Sequence, residues 1–264
     1  MLLLFDITCL ILSFDYSQGF PRGVLDMKYV VSGKPSDGPI SRYLNRPIST
    51  RITRLILRIT TKVTPNQITV ITFILGVFAG LLYLITNPII AGVMVQIASI
   101  IDGVDGEIAR ALKKESKYGA FIDSICDRVV DASIIIGMSI YILRNAKVPI
   151  EVLFLVSLLA LFGSVLVSYV RAKTSQLLGP DIVAIERVNM ATRDVRLFII
   201  FVGSVLGFLF ETLVILAIIT YVQVILKVIT AGRLYKTASA AQDVEIVTQT
   251  DEAEVAEVLK SVKK

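Results

Sequence analysis

The stretch DGVDGEIARALKKESKYGAFIDSICDRVVD, Asp102 to Asp131, sets clustered carboxylates and an arginine between apolar runs that otherwise read as ordinary membrane helices. Asp102, Asp105 and Ala109 fall three and four residues apart and share one helix face, with Gly106 beside them. Asp123 and Asp127 share a face of the next helix, and Asp131 lies one turn further on. Anionic groups at membrane depth are costly and mark function. Carboxylates crowded on two adjacent helices repel one another unless cations sit among them. A divalent ion is the simplest neutraliser, and all-oxygen donors favour a hard one, Mg²⁺ or Mn²⁺. DGVDG alone has the look of a calcium loop, but it lacks the spaced oxygen ligands and the closing Glu.

Asp102, Asp105, Gly106, Ala109, Arg110, Gly119, Asp123 and Asp127 fit the pattern D-x2-D-G-x2-A-R-x8-G-x3-D-x3-D at every fixed place. The chain thereby resembles the membrane-embedded CDP-alcohol phosphotransferases. The resemblance implies an enzyme that moves a substituted phosphate from a CDP-alcohol to an alcohol acceptor and releases CMP. It also implies a homodimer, whose interface the periodicity does not locate.

The chain as a whole suits that setting. It has 264 residues, 55% of them hydrophobic, and a mean hydropathy of +0.75, far more apolar than a soluble domain. The net charge of +5 comes from clustered Lys and Arg, which fits positive loops on one side of a membrane better than nucleic-acid binding. The absence of His excludes a His-based acid/base pair or a His-ligated zinc within this chain. Cys9 and Cys126 are far apart, and a reduced, packed thiol fits Cys126 better than a disulfide or a metal ligand.

Residues 1–38 read as an extension and linker: LLLFDITCLILSF is interrupted by Asp6 and too short to span, with Met27 an alternative start. Residues 39–62 alternate Ile and Leu with five arginines and read as a basic amphipathic helix at the membrane interface, interrupted near Pro47. Six spans are expected near 65–86, 88–112, 117–143, 149–173, 194–212 and 213–235, together a domain over 63–237. The fold class is therefore an all-α membrane protein with six transmembrane helices and a preceding interfacial helix. From Pro88 to Asp102 is only about 14 residues, roughly 21 Å of helix, against a hydrocarbon core of about 30 Å. Asp102 and Asp105 are thus expected inside the bilayer's depth, in a polar cavity. The Lys- and Arg-rich loops put the cavity mouth and both termini in the cytoplasm. Residues 238–264 read as a solvated tail, with a short helix from Glu252.

The acid cluster suits displacement at a pyrophosphate, where two divalent ions hold phosphate oxygens and stabilise the leaving group. Asp102, Asp105, Asp123 and Asp127 are the expected ligands. Asp127, one turn beyond Asp123, is placed to take the attacking hydroxyl's proton, the role the family pattern gives its last aspartate. Gly106 and Gly119 allow close approach of substrate or of another helix, and Arg110 can fork onto a phosphate or simply neutralise acid. The resemblance adds Asn66, Thr69 and Ser116 to the CDP pocket alongside Asp105, Gly106 and Arg110. Asp131 lies outside the pattern. For a phosphorylated acceptor, the resemblance to inositol-phosphate-using relatives selects Arg171, Arg187 and Arg233. Arg193 and Arg196 open the fifth apolar run, where anchoring at the interface accounts for basic residues equally well.

The phrase GPISRYLNRPISTRITRLILRITTKVTPNQIT is similar to the transferase half of archaeal di-myo-inositol-phosphate-phosphate synthases. That likeness implies CDP-inositol as donor and inositol 1-phosphate as acceptor. No nucleotide-binding domain fits in the first 38 residues, so CDP-inositol is expected from a separate cytidylyltransferase. The alternative is a phosphatidylinositol-phosphate or archaetidylinositol-phosphate synthase using a CDP-linked lipid. An intramembrane aromatic prenyltransferase also pairs aspartate motifs with Mg²⁺, but with other spacing, and a transporter's proton relay leaves the Gly, Ala and Arg unexplained.

Overall fold

Short caps divide the chain into helices. Thr64 Oγ1 accepts from Gln67 N while Gln67 Oε1 accepts from Thr64 N, a reciprocal cap with Pro65 in the first turn. Asn87 Oδ1 accepts from Ile89 N ahead of Pro88, and Ser116 Oγ accepts from Gly119 N. The computed structural model describes residues 38–60, 62–179 and 190–262, with side chains through Lys236. Expectations for residues 1–37, including Cys9, and for Arg187 lie outside these.

Among the described residues there are seven α-helices: α1 (Arg46–Ile59), α2 (Pro65–Ile85), α3 (Pro88–Ala111), α4 (Lys117–Asn145), α5 (Ile150–Leu178), α6 (Arg193–Leu206) and α7 (Leu209–Val262). A π-helical turn, Ser41–Asn45, leads directly into α1. Pro47 therefore does not interrupt the juxtamembrane helix. The wider turn, in which Arg46 N donates to Ser41 O, takes up the crowding that the proline ring imposes on the preceding turn.

The bundle is held by α2 against α3 and α4, α5 against α7, and α6 against α3, with α1 laid along α3. Its core runs through Tyr83, Val95, Ile134, Met138, Leu197, Leu213 and Leu216. The α2–α4 crossing is tight because Gly80 faces Gly137: a Cβ on Gly137 would strike the Gly80 carbonyl, and one on Gly80 would lie 2.6 Å from the Ser133 backbone. Tyr83 OH and Ser204 Oγ share a buried hydrogen bond of 2.5 Å between α2 and α6.

The expectation of six spans is corrected. Among the described residues, four helices are long and apolar enough to cross a membrane: α2, α3, α5 and the Leu209–Lys236 part of α7. On α4, charge runs from Lys117 through Asp131, leaving an uncharged, mostly apolar run only from Ala132 to Leu143, about 18 Å of helix. α6 has 14 residues and begins with Arg193 and Arg196. It stops short of the expected 212 because Gly207 takes a left-handed conformation (φ 79°), with Phe208 N donating to Gly203 O and Gly207 N to Ser204 O. The apolar run gives no sign of this break, since Leu, Gly, Phe and Leu read as continuous hydrophobic sequence. The backbone of α7 stays helical through Val262, where the sequence reading placed a mostly solvated tail.

Candidate active site

The signature residues come from the C-terminal turns of α3 and the N-terminal turns of α4, successive helices joined by the short 112–116 connection and both packed on α2. Carboxylate oxygens of Asp102, Asp123 and Asp127 lie within 4.8 Å of one another. Asp105 stands slightly apart, its Oδ2 accepting from Thr69 Oγ1 at 2.7 Å. Three of the four expected metal ligands thus form one knot, and the fourth faces α2.

Two cavities meet at this knot. The smaller, about 150 Å³, is lined by Asn66, Thr69, Asp105, Gly106, Arg110 and Ser116, the whole set expected around CDP, together with Gly119 and Asp123. The larger, about 560 Å³, is lined by Asp123, Asp127, Arg128, Ser168, Arg171, Arg193, Arg196, Gln223 and Lys227, among others. Ala120 and Asp123 belong to both walls. Of the residues expected to hold acceptor phosphate, Arg171 lines the larger cavity; Arg233 is exposed and does not.

Arg193, at the start of α6, reaches into the acid cluster. Its Nη1 lies 2.7 Å from Asp102 Oδ2 and 2.9 Å from Asp127 Oδ1, and its Nε is 3.3 Å from Asp131 Oδ1. Arg196 Nη2 donates to Asp131 Oδ2 at 2.7 Å and its Nη1 to the Ala191 carbonyl, both side chains being buried. Asp131 thus grips Arg193 and Arg196, two of the arginines that line the larger cavity, which gives this aspartate outside the pattern a structural place. Arg128 bridges from α4 to α5 through the Ser168 hydroxyl.

Sequence reading missed Lys227, Gln223 and Arg128 as cavity residues. A signal was available for two of them: Gln223 and Lys227 sit four apart within the apolar run of α7, and buried polar groups in such a run point to a pathway or site. Arg193 and Arg196 carried no such sign, because basic residues at the start of an apolar run also serve as interface anchors.

The donor set fits a divalent metal. Asp102, Asp123 and Asp127 offer only carboxylate oxygen, from two helices, at mutual distances that one hard cation can span. The cationic guanidinium of Arg193 between two of them shows that the cluster attracts positive charge.

A helical membrane bundle with an acidic centre between two polar cavities is the class that fold and site define. Residues 62–231 match the family model for CDP-alcohol phosphatidyltransferases, and the chain belongs to that family. The chain is 40% identical over 195 residues to a bifunctional IPC transferase and DIPP synthase of Aquifex aeolicus, covering 73% of this chain and 44% of that protein. It spans less than half the length of the bifunctional relatives it matches. It is 35% identical over 171 residues to the archaetidylinositol phosphate synthase of Pyrococcus horikoshii, covering 65% of this chain and 85% of that one. The fold is similar to that of Mycobacterium tuberculosis phosphatidylinositol phosphate synthase, solved with CDP-DAG bound, at 21% identity, TM-score 0.57, and coverage of 70% and 94% of the two chains. The same protein has been solved with manganese and citrate (21% identity, TM-score 0.55, coverage 70% and 88%).

Proposed function

We propose that this chain transfers a substituted phosphate from a CDP-linked lipid to a hydroxyl of an inositol phosphate, releasing CMP. The observation that carries the reading is the meeting of Asp102, Asp123 and Asp127 between one cavity walled by Asp105, Gly106 and Arg110 and another walled by Arg171, Arg193, Arg196 and Lys227. The first cavity suits a nucleotide pyrophosphate and the second, with its guanidinium groups, a phosphorylated polyol. The acceptor oxygen forms a bond to the phosphorus bearing the lipid alcohol, and the bond from that phosphorus to the bridging oxygen breaks, so that CMP leaves. Asp127 takes the hydroxyl proton, and Arg110 fixes the donor's phosphates. Asp102, Asp105, Asp123 and Asp127 would hold two divalent ions, which supply neutralisation of the charge developing on phosphate and leaving group. Arg193, paired with Asp102 and Asp127 and lining the larger cavity, would offer its guanidinium to an acceptor phosphate there. A cytoplasmic position for the cavity mouths is supported by the Lys and Arg at the ends of α3 and α5.

A lipid donor is favoured by the match over most of the length of an archaetidylinositol phosphate synthase and by the likeness to a fold that binds CDP-DAG. CDP-inositol is the second reading, favoured by the 40% identity to a bifunctional enzyme. Purified protein with Mg²⁺ and inositol 1-phosphate, given a CDP-linked lipid in one reaction and CDP-inositol in another, tests both. CMP and an inositol-phosphate lipid are expected from the first. CMP from CDP-inositol alone would transfer the assignment to the second reading, and no CMP from either would end it.

A further inference from the structure

Glu107 is a position the signature leaves open, yet it is fully buried (0% exposed). It lies about 200° around the helix from Asp105 and about 140° from Asp102, on the side of α3 away from the acid cluster. There it meets α1. Glu107 Oε1 accepts from Arg46 Nη1 at 2.8 Å and from Ser49 Oγ at 2.7 Å, and Oε2 accepts from Thr53 Oγ1 at 2.6 Å. Arg46, Ser49 and Thr53 fall on one face of α1 at helical spacing, all directed at this carboxylate. Further along the same interface, Asn45 Nδ2 donates to Ser99 Oγ at 3.1 Å and Gln96 Nε2 to Asn45 Oδ1 at 2.9 Å. Around these bonds Ile52 and Ile56 pack against buried Val104 and Ile108.

Apolar packing alone would hold α1 on α3 without fixing its register, since Ile and Val surfaces slide at little cost. A buried ion pair is seldom better for stability than well-packed apolar residues, and its best-attested use is to select one register. Directional bonds from three donors to one carboxylate do so here. The element they lock is the one that presents Asp102, Asp105, Gly106 and Arg110.

We propose that Glu107 is a positioning residue: its bonds to Arg46, Ser49 and Thr53 fix the rotation and height of α3 and thereby place Asp102 and Asp105 for divalent metal. The proposal rests on the reading of those aspartates as metal ligands, but not on the identity of either substrate. It extends the role of α1 from a helix lying beside the membrane to a brace for the acid cluster.

The test is Mn²⁺ binding to purified protein, read from the electron paramagnetic resonance signal of free Mn²⁺, with the metal dependence of CMP release measured beside it. Glu107→Leu and Thr53→Val are expected to raise the Mn²⁺ dissociation constant about tenfold or more, the scale seen when a group orienting a metal ligand is lost. Thr53→Ser, which keeps the hydroxyl, is expected to retain wild-type affinity. Folded Glu107→Leu and Thr53→Val proteins with unchanged Mn²⁺ affinity would overturn the proposal, even if turnover falls. If Glu107→Leu does not fold, Thr53→Val against Thr53→Ser decides alone. Wild-type protein that binds Mn²⁺ but releases no CMP would sink the proposed reaction and leave the positioning role standing.

Discussion

The two sides of α3 handle buried acid in opposite ways. On the α1 side a single carboxylate, Glu107, meets three donors and is closed to solvent. On the α4 side Asp102, Asp123 and Asp127 gather within 4.8 Å of one another, and the Asp102 and Asp127 side chains keep 29% and 18% of their surface. Where donors match acceptors, the charge serves the fold. Where acids crowd and remain accessible, the surplus of negative charge is a site for something that arrives from outside. Burial alone does not separate the two cases; the balance of donors to acceptors does.

Removing metal should strike only the crowded side. A chelator is expected to abolish CMP release and Mg²⁺ or Mn²⁺ to restore it, with the thermal midpoint little changed; turnover that survives chelation would erase the contrast. Asp127→Asn keeps the shape of the cluster while removing the proposed base, and kcat is expected to fall by about 10²- to 10⁴-fold. Near-wild-type turnover in that variant would assign the proton to another group. Arg110→Ala removes the proposed charge-assisted fork, so KM for the CDP-linked donor should rise by about 10- to 100-fold, corresponding to about 1.4–2.8 kcal/mol. An unchanged KM would leave Arg110 a role in neutralising neighbouring acid. The smallest effect is expected where neutral partners satisfy each other within the core. Ser204→Ala breaks the bond to Tyr83 and should cost about 1 kcal/mol of stability with kcat unaltered.

What was legible in the sequence followed from local periodicity. Three- and four-residue spacing put Asp102 with Asp105, and Asp123 with Asp127, on shared faces, and the spans expected from 65 and 88 begin where α2 and α3 do, at Pro65 and Pro88. Asp105, Gly106, Arg110 and Ser116 line one cavity because they lie in or beside that motif, whereas Asn66 and Thr69, named through the family resemblance, are brought there by the packing of α2 on α3. Contacts across long stretches of chain were not legible. Arg193 reaches Asp102 and Asp127 only because α6 packs against α3, and Glu107 finds Ser49 and Thr53 only because α1 lies along α3. The number of spans failed for a related reason. Hydropathy sees the apolar half of α4 and the body of α6, but not that charge takes half of one and that Gly207 ends the other early.

Among the described residues only Ala120 and Asp123 are shared by the two cavities, so the partition between the proposed donor and acceptor compartments is scarcely more than one turn of α4. Under the proposed reaction, an acceptor compartment without its polyol admits water to the same phosphorus. Wasteful hydrolysis of the donor is then the competing outcome. Its suppression depends on how completely the second substrate fills the room behind that thin wall.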